Sequence, residues 1–300
     1  MLNELLGPGV PASERVCAVV VTRNRRALLR RCLTALGDAS RRPDRILVVD
    51  NDSSDGTREM VGSEFPDADL LSLTTNVGGA GGFSRGIARA HADGYDWLWL
   101  MDDDTIVRSD TLAALLAGAA RAGHGRPLLV ASQVWWKDGS LHPMNAPLPR
   151  WRWPQELAEG VADGLLLVRY TTFVSVAIHR DAIDRFGLPL EHYFIWSDDV
   201  EFTARILRNE RGYLVPESVV HHWTPSPHPP ATPTSDRFYY HARNSLLLLR
   251  GSSLTPIERR DYARYYLRTL GEYLSVNRTR PRRWTLLLRA VRAGLRGEVR

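Results

Sequence analysis

The first hundred residues alternate between two hydrophobic rhythms. Val16–Thr22 is a run of small and β-branched apolar residues, which predicts a buried strand. Asn24 follows in position to cap a helix, and Leu28, Leu29, Cys32, Leu33 and Leu36 then recur at helical spacing. Arg45–Asp50 (RILVVD) predicts a second strand, the turn-forming NDSSDGT follows it, and Leu70–Leu73 predicts a third strand. A glycine loop, NVGGAGGF, leads into a helix expected from Phe83 to about Ala92 and closed near Gly94. Tyr95–Met101 predicts a fourth strand, and Asp102, Asp103 and Asp104 stand at its C-terminal end.

This alternation predicts an α/β fold, a Rossmann-like, mainly parallel sheet flanked by helices. Ligands of such sheets bind beyond the C-terminal strand ends. The TRN turn, the DNDSSD turn, the NVGG turn and the DDD run all fall there, so they predict one site. The second half is less regular. Leu128–Val134 and Thr172–Ile178 read as strands, and FIWSDDVEFTARILRNE opens with two acids and continues as an amphipathic helix. Gly212–His222 reads as two short strand pieces about Pro216. TPSPHPPATPTS, from Thr224 to Ser235, is a proline-rich linker, beyond which Asp236–Arg250, Pro256–Val276 and Trp284–Leu295 read as helices. The expected organisation is a site-bearing α/β domain over residues 1–223, a linker over 224–235 and a helical, arginine-rich C-terminal extension over 236–300.

The chain has 300 residues of ordinary globular composition. Its longest apolar runs, Trp97–Met101 and Leu246–Leu249, fall far short of the roughly 20 residues of a membrane span. The N-terminal MLNELLGPGVPASER lacks the basic-then-apolar order of a signal peptide. Two cysteines, Cys17 and Cys32, form neither a disulfide framework nor a zinc site by themselves. These features predict a cytoplasmic protein with reduced thiols. The net charge of +5 is uneven: Arg278–Arg300 holds eight arginines against one acid, Glu298, so the remainder is slightly acidic. A basic tail on a near-neutral body is either a solvated helix or a contact for an anionic partner: phospholipid, a lipid pyrophosphate or nucleic acid.

Three adjacent carboxylates at the end of an apolar strand repel one another unless solvent or a cation meets them. The strand pleat predicts Asp102 and Asp104 on one side and Asp103 on the other. Two carboxylates in reach of each other suit a divalent metal with oxygen ligands, Mn2+ or Mg2+. The alternative is an acidic turn before a helix that Ser109 and Asp110 already cap. A second pair, Asp198 and Asp199, opens the predicted helix that follows the apolar Phe194–Trp196. Acids in a first turn favour the helix dipole. An acid emerging from an apolar wall also gains a raised pKa and can serve as a general base. Of His221 and His222, a strand presents only one to the site, where a neutral imidazole could complete a metal centre. The glycine loop lets backbone approach a ligand closely, but it does not fit GxGxxG and lacks a P-loop lysine.

The pieces VVVTRNR, VVDNDSSDGT, NVGGAGGF, WLWLMDDDT, FIWSDDVEF and PESVVHHW, in this order over about residues 16–223, resemble a family-2 glycosyltransferase of the GT-A fold. The combination of NVGGAGGF, DDD and FIWSDDVEF is similar to that of the galactofuranosyltransferases that build cell-wall galactan on a polyprenyl-diphosphate carrier. The resemblance implies roles. Thr22 and Arg25, with Asp50 or Asp52, would line the uridine-diphosphate pocket, and Asn76, Gly79, Asp102 and Asp103 would complete the nucleotide-sugar site. Asp102 and Asp104 would hold Mn2+ or Mg2+, with His222 as third ligand and His221 as the alternate. Asp199 would be the catalytic base of an inverting displacement, and Asp198 and Trp196 would bind the acceptor. The chain departs from the galactan polymerase in having Ser197, not tryptophan, directly before the acid pair, with Trp196 one step earlier. Lacking that enzyme's additional domains, it is expected to be an initiating transferase.

The implied partners are UDP-galactofuranose, a lipid-linked glycan acceptor and an anionic membrane surface, with no nucleic acid. Arg278–Arg300 with Trp284, Leu286, Leu287 and Leu288 would meet that surface, which makes the protein peripheral on the cytoplasmic face of the plasma membrane. A rhamnosyltransferase using dTDP-rhamnose shares most of these motifs. Outside the family, a phosphatase with a DxD nucleophile would carry it after the first strand, whereas DDD follows the fourth. A sugar nucleotidyltransferase would want a glycine-rich stretch where TRNR stands. A non-catalytic nucleotide-sugar or membrane-binding module would form no product.

Overall fold

The computed structural model describes residues 14–226 and 235–297. Most of the N-terminal segment read above and the middle of the proline-rich linker lie outside the described residues. Strands β1 (Val16–Thr22), β2 (Arg45–Asp50), β3 (Asp69–Ser72) and β4 (Trp97–Asp102) pair in parallel in the order β3-β2-β1-β4. Helices α1 (Arg26–Gly37), α2 (Thr57–Glu64) and α3 (Gly78–Ala92) connect them. Beyond β4 the sheet is mixed. Strand β9 (Val176–His179) runs antiparallel between β4 and β6 (Leu129–Trp136). Next come β10 (Gly212–His222), β8 (Leu166–Tyr170) and β7 (Leu148–Pro149), while the short β5 (Thr105–Val107) pairs with β10 off this path.

The pleat divides β1 between two cores. Val16, Ala18 and Val20 pack with Leu29, Cys32, Leu33 and Leu36 of α1 and with α4 (Thr111–Arg121). Cys17, Val19 and Val21 pack with Phe83 and Ile87 of α3 and with α7 (Asp198–Ile206). Helices α8 (Phe238–Arg250), α9 (Pro256–Val276) and α10 (Pro281–Arg296) enclose a separate core in which Phe238 stacks on Tyr273 with ring centroids 4.0 Å apart. Leu248 of α8 and Leu254 attach this group to Ala204 of α7.

Several local expectations change. Helix α3 starts at Gly78 rather than Phe83, so the glycine run is its first turns and not a loop before it. The reason is close helix–sheet contact: a Cβ on Gly82 would lie 2.6 Å from Val21 Cγ1, and one on Gly86 would lie 2.5 Å from Val19 Cγ1. Asn24 does not cap α1. Its side-chain oxygen accepts from Ser54 N (2.8 Å), and Asp55 from the same neighbouring loop accepts from Arg26 N (3.0 Å) instead. Asp110 stands at the start of α4 without a side-chain cap, and Thr111 Oγ1 accepts from Arg108 N. Thr172–Ile178 is extended only from Val176. Gly212–His222 is one strand whose register against β6 breaks between Val215 and Val219, around Pro216. Leu287 is buried in the C-terminal core and Leu286 packs against it, so of the apolar residues expected to meet a membrane only Trp284 and Leu288 point outward, joined by Leu295. No helix among the described residues is long and apolar enough to cross a membrane.

The tight glycine seats give a stability test. Gly86→Ala forces a methyl against Val19 and Val49, which outweighs its gain in helix propensity, and should destabilise the protein by about 1–2 kcal/mol. Gly62→Ala in α2 meets nothing within 4 Å and should stabilise by about 0.5–1 kcal/mol. Denaturant midpoints of the two variants check both signs.

Candidate active site

Strand β4 is buried from Trp97 to Met101 and ends at Asp102, where the chain turns. The pleat therefore stops before it can send Asp103 to the far side. Thr22 Oγ1 donates to Asp103 Oδ2 (2.8 Å). Arg25 Nη1 donates to both Asp103 Oδ1 (3.2 Å) and Asp104 Oδ2 (2.6 Å). All three acids thus belong to one site, and Asp103 is its inner wall rather than an outward contact.

His222, at the end of β10, closes the group. Its Nε2 lies 2.9 Å from Asp104 Oδ1 and 3.9 Å from Asp102 Oδ2. Its Nδ1 is 2.8 Å from Asn145 Oδ1, and Asn145 Nδ2 donates to Thr172 Oγ1 (3.1 Å). With the amide Nδ2 on Thr172, Nδ1–H donates to Asn145 Oδ1, and Nε2–H donates to Asp104, whose bond and charge raise the imidazole above its usual range against the push of burial. His221 points elsewhere, with its ring edge toward Trp135. Asp102, Asp104 and His222 each offer one ligand atom, all within 4.8 Å of one another. Two carboxylates and an imidazole oriented by an amide fit a hard divalent cation such as Mn2+ or Mg2+.

The charges are unequal. Burial pushes Asp104 up, but the bond and charge of His222 and the charge of Arg25 outweigh it and hold its carboxyl below the usual range. Burial and then the charge of Asp104 push Asp102 and Asp103 above it. Asp102 keeps 41% of its side chain open to solvent, so its push is the more screened.

These groups line a cleft of about 450 Å³ whose near wall also includes Thr22, Arg25, Asn76 and Gly79. Trp196, Asp198 and Asp199 form the opposite wall. Asp50 and Asp52, which the resemblance implies at the nucleotide, are not among the residues that line it. Asp50 is fully buried and spends its carboxylate on Arg58 and on Ser53 N. The residue between them, Asn51, lines the cleft instead. Its Nδ2 donates to Gly78 O (2.9 Å) and its Oδ1 accepts from Val77 N (2.9 Å), so it fixes the glycine turn.

The far wall rests on a bent loop. Phe194 (φ 64, ψ −57), Trp196 (φ 66) and Ser197 (φ 66) all adopt positive φ, and Ile195 N donates to Tyr193 O (2.7 Å) across a γ-turn at Phe194. Each such conformation costs on the order of 1–3 kcal/mol in a residue with a side chain. The bend reaches the glycine turn: Phe194 O accepts from Ala80 N (3.1 Å), and a Cβ on Gly78 would lie 2.0 Å from that oxygen. Only glycine fits there. The loop then delivers Asp198 and Asp199 at the N-terminus of α7. Burial and the charge of Asp199 push Asp198 well above the carboxylate range. Burial raises Asp199 to about 6. The two carboxyls titrate as a pair, both held above the usual carboxylate range by burial.

A second cavity of about 840 Å³ is bounded by β7, β8 and α9. It shares Met144, Thr172, Trp196 and Asp199 with the cleft. Sequence reasoning missed Asn51, Asn145 and this cavity; the only signal for Asn51 was its place inside DNDSSD.

Asn145 gives the cation site a test apart from turnover. Asn145→Ala leaves Asp102, Asp104 and His222 in place but frees the ring, and should weaken Mn2+ binding about 10- to 100-fold in titration calorimetry.

The chain matches the family model "Glycosyl transferase family 2" over residues 17–185. It is 35% identical over 204 residues to galactofuranosyltransferase GlfT1 of Mycolicibacterium smegmatis, covering 66% of this chain and 67% of that relative. It is 29% identical over 245 residues to N-acetylglucosaminyl-diphospho-decaprenol L-rhamnosyltransferase of Mycobacterium tuberculosis, covering 68% and 75%. Its fold is similar to that of the mannosyltransferase PcManGT from Pyrobaculum calidifontis, solved in complex with GDP-Man and Mn2+, with a TM-score of 0.57 at 17% identity over 98% of this chain and 90% of that one. The mostly parallel sheet, the acid cluster at its strand ends and a family match over more than half of the sequence agree: the chain belongs to the family 2 glycosyltransferases and has the GT-A fold.

Proposed function

We propose that this chain is a metal-dependent, inverting galactofuranosyltransferase that moves galactofuranose from UDP-galactofuranose to a lipid-diphosphate-linked glycan. The observation that carries this reading is the position of Asp199, the one acid common to the walls of both cavities. A group that must touch donor and acceptor together belongs there. The greater likeness to the galactofuranosyltransferase, 35% against 29% for the rhamnosyltransferase, favours the furanose donor.

The nucleotide diphosphate lies in the cleft, where the half-exposed guanidinium of Arg25 offers it charge and hydrogen bonds. A divalent cation held by Asp102, Asp104 and His222 would supply Lewis-acid stabilisation to the leaving diphosphate. Asp199 takes the proton of the acceptor hydroxyl as that oxygen attacks the anomeric carbon. The bond from that carbon to the diphosphate oxygen breaks on the opposite face, its electron pair leaves with the nucleotide, and the configuration inverts. Asp198, in the same cleft lining, would offer the acceptor a second carboxyl for hydrogen bonding. The second cavity is lined by Trp151, Trp153, Tyr262 and Tyr265, aromatic residues of the kind that contact sugars, and by Arg152 and Arg268, which would complement carrier phosphates.

In this reading residues 1–223 are the catalytic domain and residues 236–300 its membrane-facing extension, working at the cytoplasmic face. Support comes from the exposed side of α10, where Trp284, Leu288 and Leu295 lie among Arg282, Arg289, Arg292 and Arg296.

A donor panel decides the sugar: nucleoside diphosphate released from UDP-galactofuranose, and not from dTDP-rhamnose, in the presence of a polyprenyl-diphosphate-linked acceptor. The reverse preference overturns the furanose reading. Asp199→Asn should lower kcat about 100- to 10,000-fold and leave UDP affinity within about twofold. Because Asp199 must be ionised and burial raises it to about 6, kcat of the wild type should fall toward tenfold per unit as pH drops below about 6. The double variant Trp284→Ala/Leu288→Ala should lose co-sedimentation with anionic vesicles at unchanged turnover on a water-soluble acceptor; undiminished sedimentation removes the membrane role.

A further inference from the structure

The loop that presents Asp198 and Asp199 is bent against its own preference at Phe194, Trp196 and Ser197, and something outside it must hold the bend. Helix α8 carries that something. Asn244, fully buried, donates from Nδ2 to three carbonyl oxygens of the loop: Tyr193 (2.9 Å), Ile195 (2.8 Å) and Trp196 (2.8 Å). Arg243, equally buried, donates from Nη2 to His192 O (2.6 Å) and Tyr193 O (2.9 Å), and from Nε to Asn244 Oδ1 (2.9 Å). The last bond fixes which way the amide faces, so Nδ2 is turned to the loop. One turn earlier on α8, Tyr240 stacks on Phe194 at 5.0 Å, on the crest of the γ-turn. Two adjacent side chains thus take up the carbonyls of four loop residues, a pattern that a side chain serving only helix packing would not need.

We infer that Arg243 and Asn244 are positioning residues for the catalytic base: they impose the bent backbone from which Asp199 reaches the acceptor hydroxyl. This rests on the reading of Asp199 as the base. Neither residue is among those that line the two cavities. The glycine turn that meets Phe194 is held independently by Asn51. Release of the clamp therefore lets Asp199 drift while donor binding persists. Glycine adopts positive φ without steric penalty, so a glycine at position 197 lowers the need for a clamp.

The test uses the full chain and four variants, each measured for melting temperature, kcat, and Kd for UDP with Mn2+. Asn244→Ala should lose about 100-fold in kcat, the scale of a misplaced catalytic group, with Kd for UDP within about threefold of wild type. Asn244→Ala/Ser197→Gly should regain at least about fivefold of that loss. Leu248→Ala, buried on the same helix but packed on Ala204 and Leu254, should lower the melting temperature and leave kcat near wild type. Wild-type kcat in Asn244→Ala overturns the inference. So do equal losses in kcat and UDP affinity, and so does a failure to fold that Ser197→Gly does not relieve, because the pair then serves the fold alone. If Asp199→Asn turns over normally, the base assignment itself fails. An inactive Asp199→Asn beside a fully active Asn244→Ala refutes only the clamp.

Discussion

Negative charge at the dry end of β4 is the constraint around which the rest is arranged. Five fully buried apolar residues lead directly to three carboxylates, of which Asp103 and Asp104 are themselves almost wholly buried. Buried charge is tolerable only when paired or hydrogen-bonded. Each element that reaches this point brings a donor: β1 contributes Thr22, the turn before α1 contributes Arg25, and β10 contributes His222. These residues are up to two hundred positions apart in sequence, and their meeting requires β10 to come back beside β5 and β6. The central chemistry and the central packing problem of the sheet are therefore the same problem.

The parallel half of the fold was legible because each strand is an uninterrupted apolar run and each connection carries a helical rhythm. Asp102, Asp104 and Asp199 were legible for the same reason, since acids at the ends of apolar segments are conspicuous. The failures have physical causes. DNDSSD drew attention to its acids, but Arg58, eight residues after Asp50 and in the first turn of α2, pairs with that carboxylate, and Asn51 lines the cleft. The glycine run looked like a loop because glycine is a poor helix former; contact with Val19, Val21 and Val49 overrides that preference. Asn145 lies in an irregular segment with no period to mark it. In the leucine-rich α8, the pair Arg243–Asn244 was a visible anomaly, polar side chains in a buried helix, but nothing local said what they bind.

The wall between the two cavities is thin and expensive. The two cavities share four lining residues, and the loop that carries Trp196 holds three side-chain-bearing residues at positive φ. Relaxing that backbone would let the acids at the start of α7 fall back into ordinary helix-capping geometry. Instead, the carbonyl of Phe194 engages the start of α3 and the stacked rings of Phe194 and Tyr240 engage α8, so two helices far apart in sequence brace one turn. The placement of the C-terminal helices is thus tied to the chemistry and not only to the surface they expose.

The break in β10 around Pro216 has a consequence for parity. Tyr213 and Val215 face one core before it, and Val220 faces the same core after it, so the extra residues convert odd positions to even ones. Adjacent histidines at 221 and 222 would seem to make the strand indifferent to a slip, since either register offers an imidazole to the acids. Yet only the ring at 222 finds Asn145 behind it. Gaining one residue in that break would seat the first histidine against Asn145, whereas losing one would bring Trp223 to that seat. Duplication in the sequence therefore covers a slip in one direction only.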